Sequence, residues 1–275
     1  MIRCSVTVSL VEEARGGPFV FWHDLRAATT FAAEHGFHAI ELFPPCAAEV
    51  PQADLKKFLN STGLDLAAVG TGGGWVRERL AFTDPDADVR VRATRFVRDM
   101  IDVAAEFGAP VIIGSMQGRW GGAIDRAMAL EWLGSELVEL GEHAMARGTR
   151  VLFEPLNRYE SNLLNRLGDA AEFVDGLGTK GVQLLADLFH MNIEEVDLAA
   201  AIRTAGRHVG HVHFADSNRQ AAGSGHTDFA PIASALREVG YEGFVSAEVF
   251  PLPDPESAAH RTIESYQRFF VDGGS

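Results

Sequence analysis

What most constrains this chain is an order repeated eight times: a short β-branched or apolar run, then a longer segment of helical periodicity. Such alternation is the signature of parallel βα units, because parallel strands need a crossover connection and a helix supplies it. The runs predict strands over residues 4–10, 38–43, 64–69, 110–115, 150–154, 181–187, 208–214 and 243–249. They predict helices over 21–35, 53–61, 89–107, 125–147, 169–177, 197–204, 229–239 and 255–270. Gly36, Gly63, Gly108, Gly148, Gly178, Gly206 and Gly240 stand where seven of these helices must stop, the place for a residue that takes the left-handed conformation. A chain of 275 residues also matches the roughly 250 of one eight-stranded α/β barrel. The expectation is a single (β/α)8 TIM barrel over residues 1–275. An open doubly wound sheet is the alternative, but no glycine-rich dinucleotide fingerprint follows the first strand. Gly72, Gly73 and Gly74 follow the third and lack the spacing.

Charge narrows the partners. A formal net charge of -14 repels phosphate backbones and anionic headgroups, and no run of Lys and Arg offsets it. Nucleic acid and membrane surfaces are therefore not expected as partners, and no apolar run reaches the ~18 residues of a membrane span. Cys4 and Cys46 lack the spacing of thiolate metal sites or redox motifs, so a reducing cytoplasm is the expected compartment. Residues 1–8 alternate like a strand and are read as no signal peptide.

In a barrel of this kind chemistry sits at the C-terminal ends of the strands. Four strong metal-ligand types occupy those places: Glu154, Asp187, His213 and Glu248, at intervals of 33, 26 and 35 residues. About thirty residues is one βα unit, so the last four strands offer one ligand each. Any one of them has a bland reading, as a helix cap or a core histidine. Together that reading weakens, because three carboxylates around one barrel mouth repel one another unless a cation joins them. Oxygen and imidazole donors without thiolate suit one divalent metal, Mn2+ by first choice, with Mg2+ or Co2+ as alternatives. His211 shares a strand face with His213 and is read as support or packing.

The segments around these residues carry a resemblance. Phe153-Glu154-Pro155-Leu156-Asn157-Arg158-Tyr159-Glu160, Asp187-Leu188-Phe189-His190-Met191-Asn192-Ile193-Glu194-Glu195 and His211-Val212-His213-Phe214-Ala215-Asp216-Ser217-Asn218-Arg219 resemble the xylose isomerase-like superfamily of sugar isomerases and epimerases, and within it the D-tagatose/D-psicose 3-epimerase branch. The resemblance implies a small-molecule sugar substrate and metal ligation by Glu154, Asp187, His213 and Glu248. It implies that Glu154 and Glu248 flank the substrate as a catalytic acid/base pair, and that Glu160, His190 and Arg219 reach its oxygens. The implied chemistry is proton removal beside a carbonyl to give an enediolate, then return of a proton on the opposite face. A homodimer or homotetramer is expected by the same analogy. The last segment, Glu248-Val249-Phe250-Pro251-Leu252-Pro253-Asp254-Pro255, keeps the glutamate but departs from the epimerase pattern.

Other residues after the third and fourth strands, Trp75, Gln117, Arg119 and Trp120, are placed to stack on a sugar or read its hydroxyls. Glu41 ends the second strand and is a candidate to reach the same mouth; His23 and Phe43 are weaker candidates. The same apparatus fits an aldose-ketose or hydroxypyruvate isomerase, or a lyase of the inosose dehydratase or C-glycoside-cleaving kind. A nuclease is disfavoured by the acidic charge and by too few histidines for a three-metal cluster. A non-catalytic sugar-binding protein is the remaining alternative.

Overall fold

The computed structural model describes residues 1–271. Its strands are β1 (Arg3–Ser9), β2 (Phe21–Trp22), β3 (Ala39–Phe43), β4 (Asp65–Gly70), β5 (Val111–Ile113), β6 (Val151–Phe153), β7 (Val182–Asp187), β8 (Val209–His213) and β9 (Phe244–Ala247). All pair in parallel, and β9 returns to pair with β1, closing an eight-stranded barrel to which β2 is added. The expected (β/α)8 barrel is therefore the fold. The strands are buried on both faces, which explains why they read as nearly continuous apolar runs. All seven predicted stop glycines have positive φ, from 53° at Gly206 to 84° at Gly36, so each helix ends where a side chain would be strained.

The barrel is closed at its base and parted at its mouth between the first and last strands. β9 pairs with β1 only over Arg3–Val6; beyond it β2 takes the edge, opposite Val8 and Ser9. The Thr7 hydroxyl spans the divergence, donating to the Ala247 carbonyl at 2.7 Å and accepting from the Val20 amide at 3.0 Å. This corrects the helix expected over 21–35: Phe21 and Trp22 are strand, and helix α1 (Leu25–Glu34) starts after Asp24, whose side chain accepts from the Ala27 amide.

The remaining helices are α2 (Gln52–Thr62), α3 (Gly72–Glu78), α4 (Ala87–Ala105), α5 (Arg126–Ala146), α6 (Leu167–Gly176), α7 (Leu188–Glu194), α8 (Leu198–Ala205), α9 (Phe229–Glu238) and α10 (Pro255–Tyr266), the last continued by a π-helical turn, Gln267–Val271. Two of these, α3 and α7, were not expected, and both sit at the mouth. Glycine helps α3 pack there: a Cβ on Gly73 would fall 2.4 Å from the Pro45 carbonyl oxygen, and one on Gly74 would fall 2.7 Å from Met116 Sδ.

Candidate active site

Four strands deliver the four expected side chains to one point. Glu154 follows β6, Asp187 ends β7, His213 ends β8 and Glu248 follows β9, and all four are buried. His213 Nδ1 lies 3.3 Å from Asp187 Oδ2, 3.6 Å from Glu154 Oε1 and 3.6 Å from Glu248 Oε2. Donors about 2.1 Å from a common centre are separated by about 3.0–3.4 Å at octahedral to tetrahedral angles, so these spacings are close to the edges of a coordination polyhedron. Asp187, His213 and Glu248 offer ligand atoms within 4.8 Å of one another, as do Glu154, Asp187 and His190, and the donor chemistry suits a divalent cation.

Asp187 serves two functions at once. Its Oδ1 caps α7, accepting from the amides of Phe189 at 2.7 Å and His190 at 3.3 Å, which leaves Oδ2 facing the cluster. The helix-cap reading and the metal-ligand reading are both satisfied, one per oxygen. The cap also fixes His190, whose Nδ1 meets the side-chain amide nitrogen of Asn157 at 2.6 Å and the Asn157 backbone amide at 3.3 Å. Asn157 Oδ1 accepts from the Tyr159 amide, which settles the orientation of the side-chain amide. Facing two donors, His190 Nδ1 is an acceptor, which leaves Nε2 as the ring's donor. That Nε2 is buried without a hydrogen-bond partner among the described residues, 3.7 Å from Asp187 Oδ2 and 3.8 Å from Glu154 Oε1. An unpartnered buried donor is costly, and His190, 1% exposed, does not itself line the cavity described below.

Arg219 closes the other side. Its Nη2 donates to Glu248 Oε2 at 2.7 Å, Nη1 lies 3.6 Å from Glu160 Oε1, and the guanidinium rests over the Phe189 ring. Its backbone is left-handed, with φ 59°, costly for a residue with a Cβ. Two hydrogen bonds of 2.8 Å, from its amide to the Asp216 carbonyl and from the Phe250 amide to its own carbonyl, hold it there. The Asp216 carboxylate anchors the same loop through the amides of Ser217, Gly223 and Thr227.

Electrostatics follow from this packing. Burial pushes the Glu248 carboxyl up; His213 and Arg219 oppose, Glu154 and Asp187 add, and it is held above the usual carboxylate range. Burial also works against the Asp187 charge, but His190, His213 and Arg219 outweigh it and hold that carboxyl low. Burial favours a neutral His213, yet Glu41, Glu248, Asp187 and Glu154 together raise it well above an ordinary imidazole. A nitrogen whose surroundings call this strongly for positive charge is a suitable neighbour for a cation.

The cluster opens into a cavity of about 220 Å³. This is smaller than the ~300–1,000 Å³ of drug-sized sites, the scale of one small solute. Its lining combines the polar Glu154, Glu160, Arg219 and Glu248 with the apolar Val11, Phe19, Phe43 and Ile112. Phe19 and Phe43 lean together with ring centroids 4.5 Å apart. Phe19 went unnoticed in the sequence because it lies in the stretch that the parting of β1 and β9 brings to the mouth.

Two expected substrate contacts lie elsewhere. Gln117 is fully buried behind the site: its side-chain amide donates to the carbonyls of Gly114 at 3.0 Å and Glu154 at 2.9 Å. It holds the Glu154 backbone and does not line the cavity. Trp120 is 40% exposed, outside the cavity, with its indole N–H donating to the Asn162 carbonyl. Arg119 reaches the Tyr159 carbonyl at 3.3 Å, and Trp75 packs on the core under Arg79. His211 and Glu41 lie immediately behind His213: Glu41 accepts from His211 Nε2 at 2.5 Å and from His213 Nε2 at 2.9 Å.

Comparison with known proteins identifies the family. The family model described as xylose isomerase-like TIM barrel matches residues 30–268. An L-ribulose 3-epimerase of Mesorhizobium japonicum is 32% identical over 79% of this chain and 72% of its own. A 3-dehydro-D-guloside 4-epimerase of Escherichia coli is 31% identical over 71% of this chain and 76% of its own. Among solved structures, an L-ribulose 3-epimerase superposes with a TM-score of 0.80 at 27% identity, covering 98% of this chain and 96% of that one. The chain belongs to the xylose isomerase-like TIM barrel family.

Proposed function

We propose that the chain epimerises a small, unphosphorylated ketose at C3 by moving a proton between the two faces of the carbon beside the carbonyl. One observation carries the reading: Glu154 and Glu248 both line the cavity and both lie 3.6 Å from His213 Nδ1. A sugar entering the cavity meets both carboxylates. The proton beside a ketone is weakly acidic, so its removal needs a positioned base and stabilisation of the enediolate that forms. A divalent cation held by Glu154, Asp187, His213 and Glu248, manganese by first choice, supplies charge that offsets the developing negative oxygen. One glutamate takes the proton and the other returns one from the opposite side. Arg219 keeps Glu248 oriented through its 2.7 Å hydrogen bond, while the Nε2–H of His190 and the Glu160 carboxylate bind sugar oxygens. The apolar wall of Phe19 and Phe43 shields the reacting carbon from water. In this reading residues 1–275 form one domain, and the enzyme works in the cytoplasm as a homodimer or homotetramer.

The relatives support epimerisation and differ in the carbon they act on, one being a 3-epimerase and another a 4-epimerase of a keto-glycoside. The test is therefore positional. Manganese-loaded protein is incubated with free ketoses in deuterated water, the metal is removed, and the sugars are examined by proton NMR. Deuterium at C3 with the inverted epimer is the expected result. Label at C1 or C2 would identify an aldose-ketose isomerase, loss of a hydroxyl a lyase, and absence of exchange across free ketoses would refute the proposal.

A further inference from the structure

Glu41 is fully buried inside the barrel, a costly position for a carboxylate without compensation. Its two oxygens are both taken by imidazoles: Oε2 by His211 Nε2 at 2.5 Å and Oε1 by His213 Nε2 at 2.9 Å. The other nitrogen of His213, Nδ1, points away from Glu41 to the cluster of Asp187, Glu154 and Glu248 at 3.3–3.6 Å. The imidazole therefore stands between two carboxylate environments, with one nitrogen assigned to each. The topology makes this arrangement rigid. Glu41 lies in the middle of β3, paired with Thr7 of β1, while His213 ends β8, paired with Asp187 and Ser246. His211 is two residues before His213 on the same inward face, which is why one carboxylate reaches both rings.

We infer that Glu41 is a positioning residue that holds the proton of His213 on Nε2, leaving the Nδ1 lone pair free to ligate the cation. This rests on the reading of Glu154, Asp187, His213 and Glu248 as its ligands. The physical reason is tautomeric: an imidazole that ligates a cation through one nitrogen keeps a single N–H on the other, and an ionised carboxylate can only accept, so Glu41 fixes which nitrogen keeps it. The carboxylate also makes the ring a stronger electron donor. His211, donating to the second oxygen, keeps the Glu41 carboxylate from rotating away. A glutamine at position 41 presents an NH2 on one side of its amide; turned to His213 it would drive the proton to Nδ1 and close the ligand position.

The test is isothermal titration of Mn2+ into the full chain after chelator treatment. Glu41→Gln is expected to bind Mn2+ with a Kd raised about 10–100-fold, while circular dichroism and thermal unfolding of the metal-free protein show it folded. A merely structural role for Glu41 would lower Tm without moving Kd, so equal affinity in wild type and variant would overturn the inference. If wild-type protein binds no Mn2+, the ligand reading itself falls, a result distinct from equal binding. Should Glu41→Gln fail to fold, wild-type protein loaded with Mg2+ decides by long-range ¹H–¹⁵N NMR. A His213 with its proton on Nε2 and none on Nδ1 is expected, and a proton on Nδ1 would overturn the inference.

Discussion

Gly114 lines the cavity against the back of Glu154, and a Cβ built on it would lie 2.4 Å from Glu154 Oε2 and 3.5 Å from its Cδ. Ordinary contact begins near 3.4 Å, so Gly114→Ala must displace that carboxylate oxygen by about 1 Å. The next neighbour, Leu156 Cδ2, is already at 3.8 Å, so little else has to move and the fold should survive. A misplacement of about 1 Å at a catalytic group costs ~100-fold in rate, or ~2.7 kcal/mol of transition-state stabilisation. The expected outcome is thus a loss of ~100-fold in kcat/KM for C3 exchange, with weaker Mn2+ binding and little change in the Tm of the metal-free protein. Gly72→Ala is the control, since Gly72 lines the same cavity and a Cβ there meets nothing within 4 Å. The assay is deuterium exchange for rate, titration calorimetry for metal and thermal unfolding in chelator for stability. Wild-type rate and affinity in a folded Gly114→Ala protein would refute the placement of Glu154 at the reacting centre. An equal loss in Gly72→Ala would show that filling the cavity, not moving Glu154, is responsible.

Glu154→Gln and Glu248→Gln should each abolish proton exchange, and substantial residual exchange in both would contradict the two-carboxylate mechanism. Chelation should abolish activity and Mn2+ restore it. At a free metal concentration of 100 Kd the ion adds ~2.7 kcal/mol, a rise in Tm of about 5–11 °C for a chain of this size, read by scanning calorimetry. Phe19→Ala, which opens the apolar wall, should weaken kcat/KM without unfolding the barrel; an unchanged steady-state profile would remove Phe19 from the site. Arg219→Lys keeps the charge but loses the fork that reaches Glu248 and Glu160 together, so kcat/KM should fall, and wild-type kinetics would take Arg219 out of the site.

The barrel was legible because its grammar is local: apolar runs, helical periods and stop glycines each occupy a few consecutive residues. The cluster of four was legible for a different reason. A closed parallel barrel brings every strand end to one mouth, so ligand types spaced by one βα unit converge without knowledge of any contact. What the sequence withheld depends on side-chain direction. Gln117 and Trp120 follow a strand end as expected, but Gln117 turns inward to the Glu154 carbonyl and Trp120 turns outward to Asn162. Helix α3 stayed hidden because a glycine triplet reads as loop; its packing partner Pro45 comes from the loop after β3, 28 residues before Gly73. The role of Glu41 was hidden similarly, since its partners His211 and His213 lie 170 and 172 residues away.

In the proposed reaction the site divides between parts that fix the chemistry and parts that choose the carbon. Glu154, Asp187, His213 and Glu248 sit on strand ends and are braced from behind by Gln117, by the α7 cap and by Glu41. Such a set can remove and return a proton at any carbon presented between the two glutamates, and it is indifferent to which one. In the proposed reaction, presentation falls to the apolar lining, where Val11, Phe19, Phe43 and Ile112 come from loops and strands of the first half of the chain. Phe19 reaches the wall only because β9 releases β1 after Val6 and β2 takes its place. The same parting of strands frees Glu248 from the sheet, so one structural event positions both a reacting carboxylate and part of the apolar lining. Changes along residues 11–22 should therefore shift the site of deuterium incorporation along the sugar while leaving Mn2+ affinity unchanged. Loss of metal binding in such variants would show that the two halves are not separable.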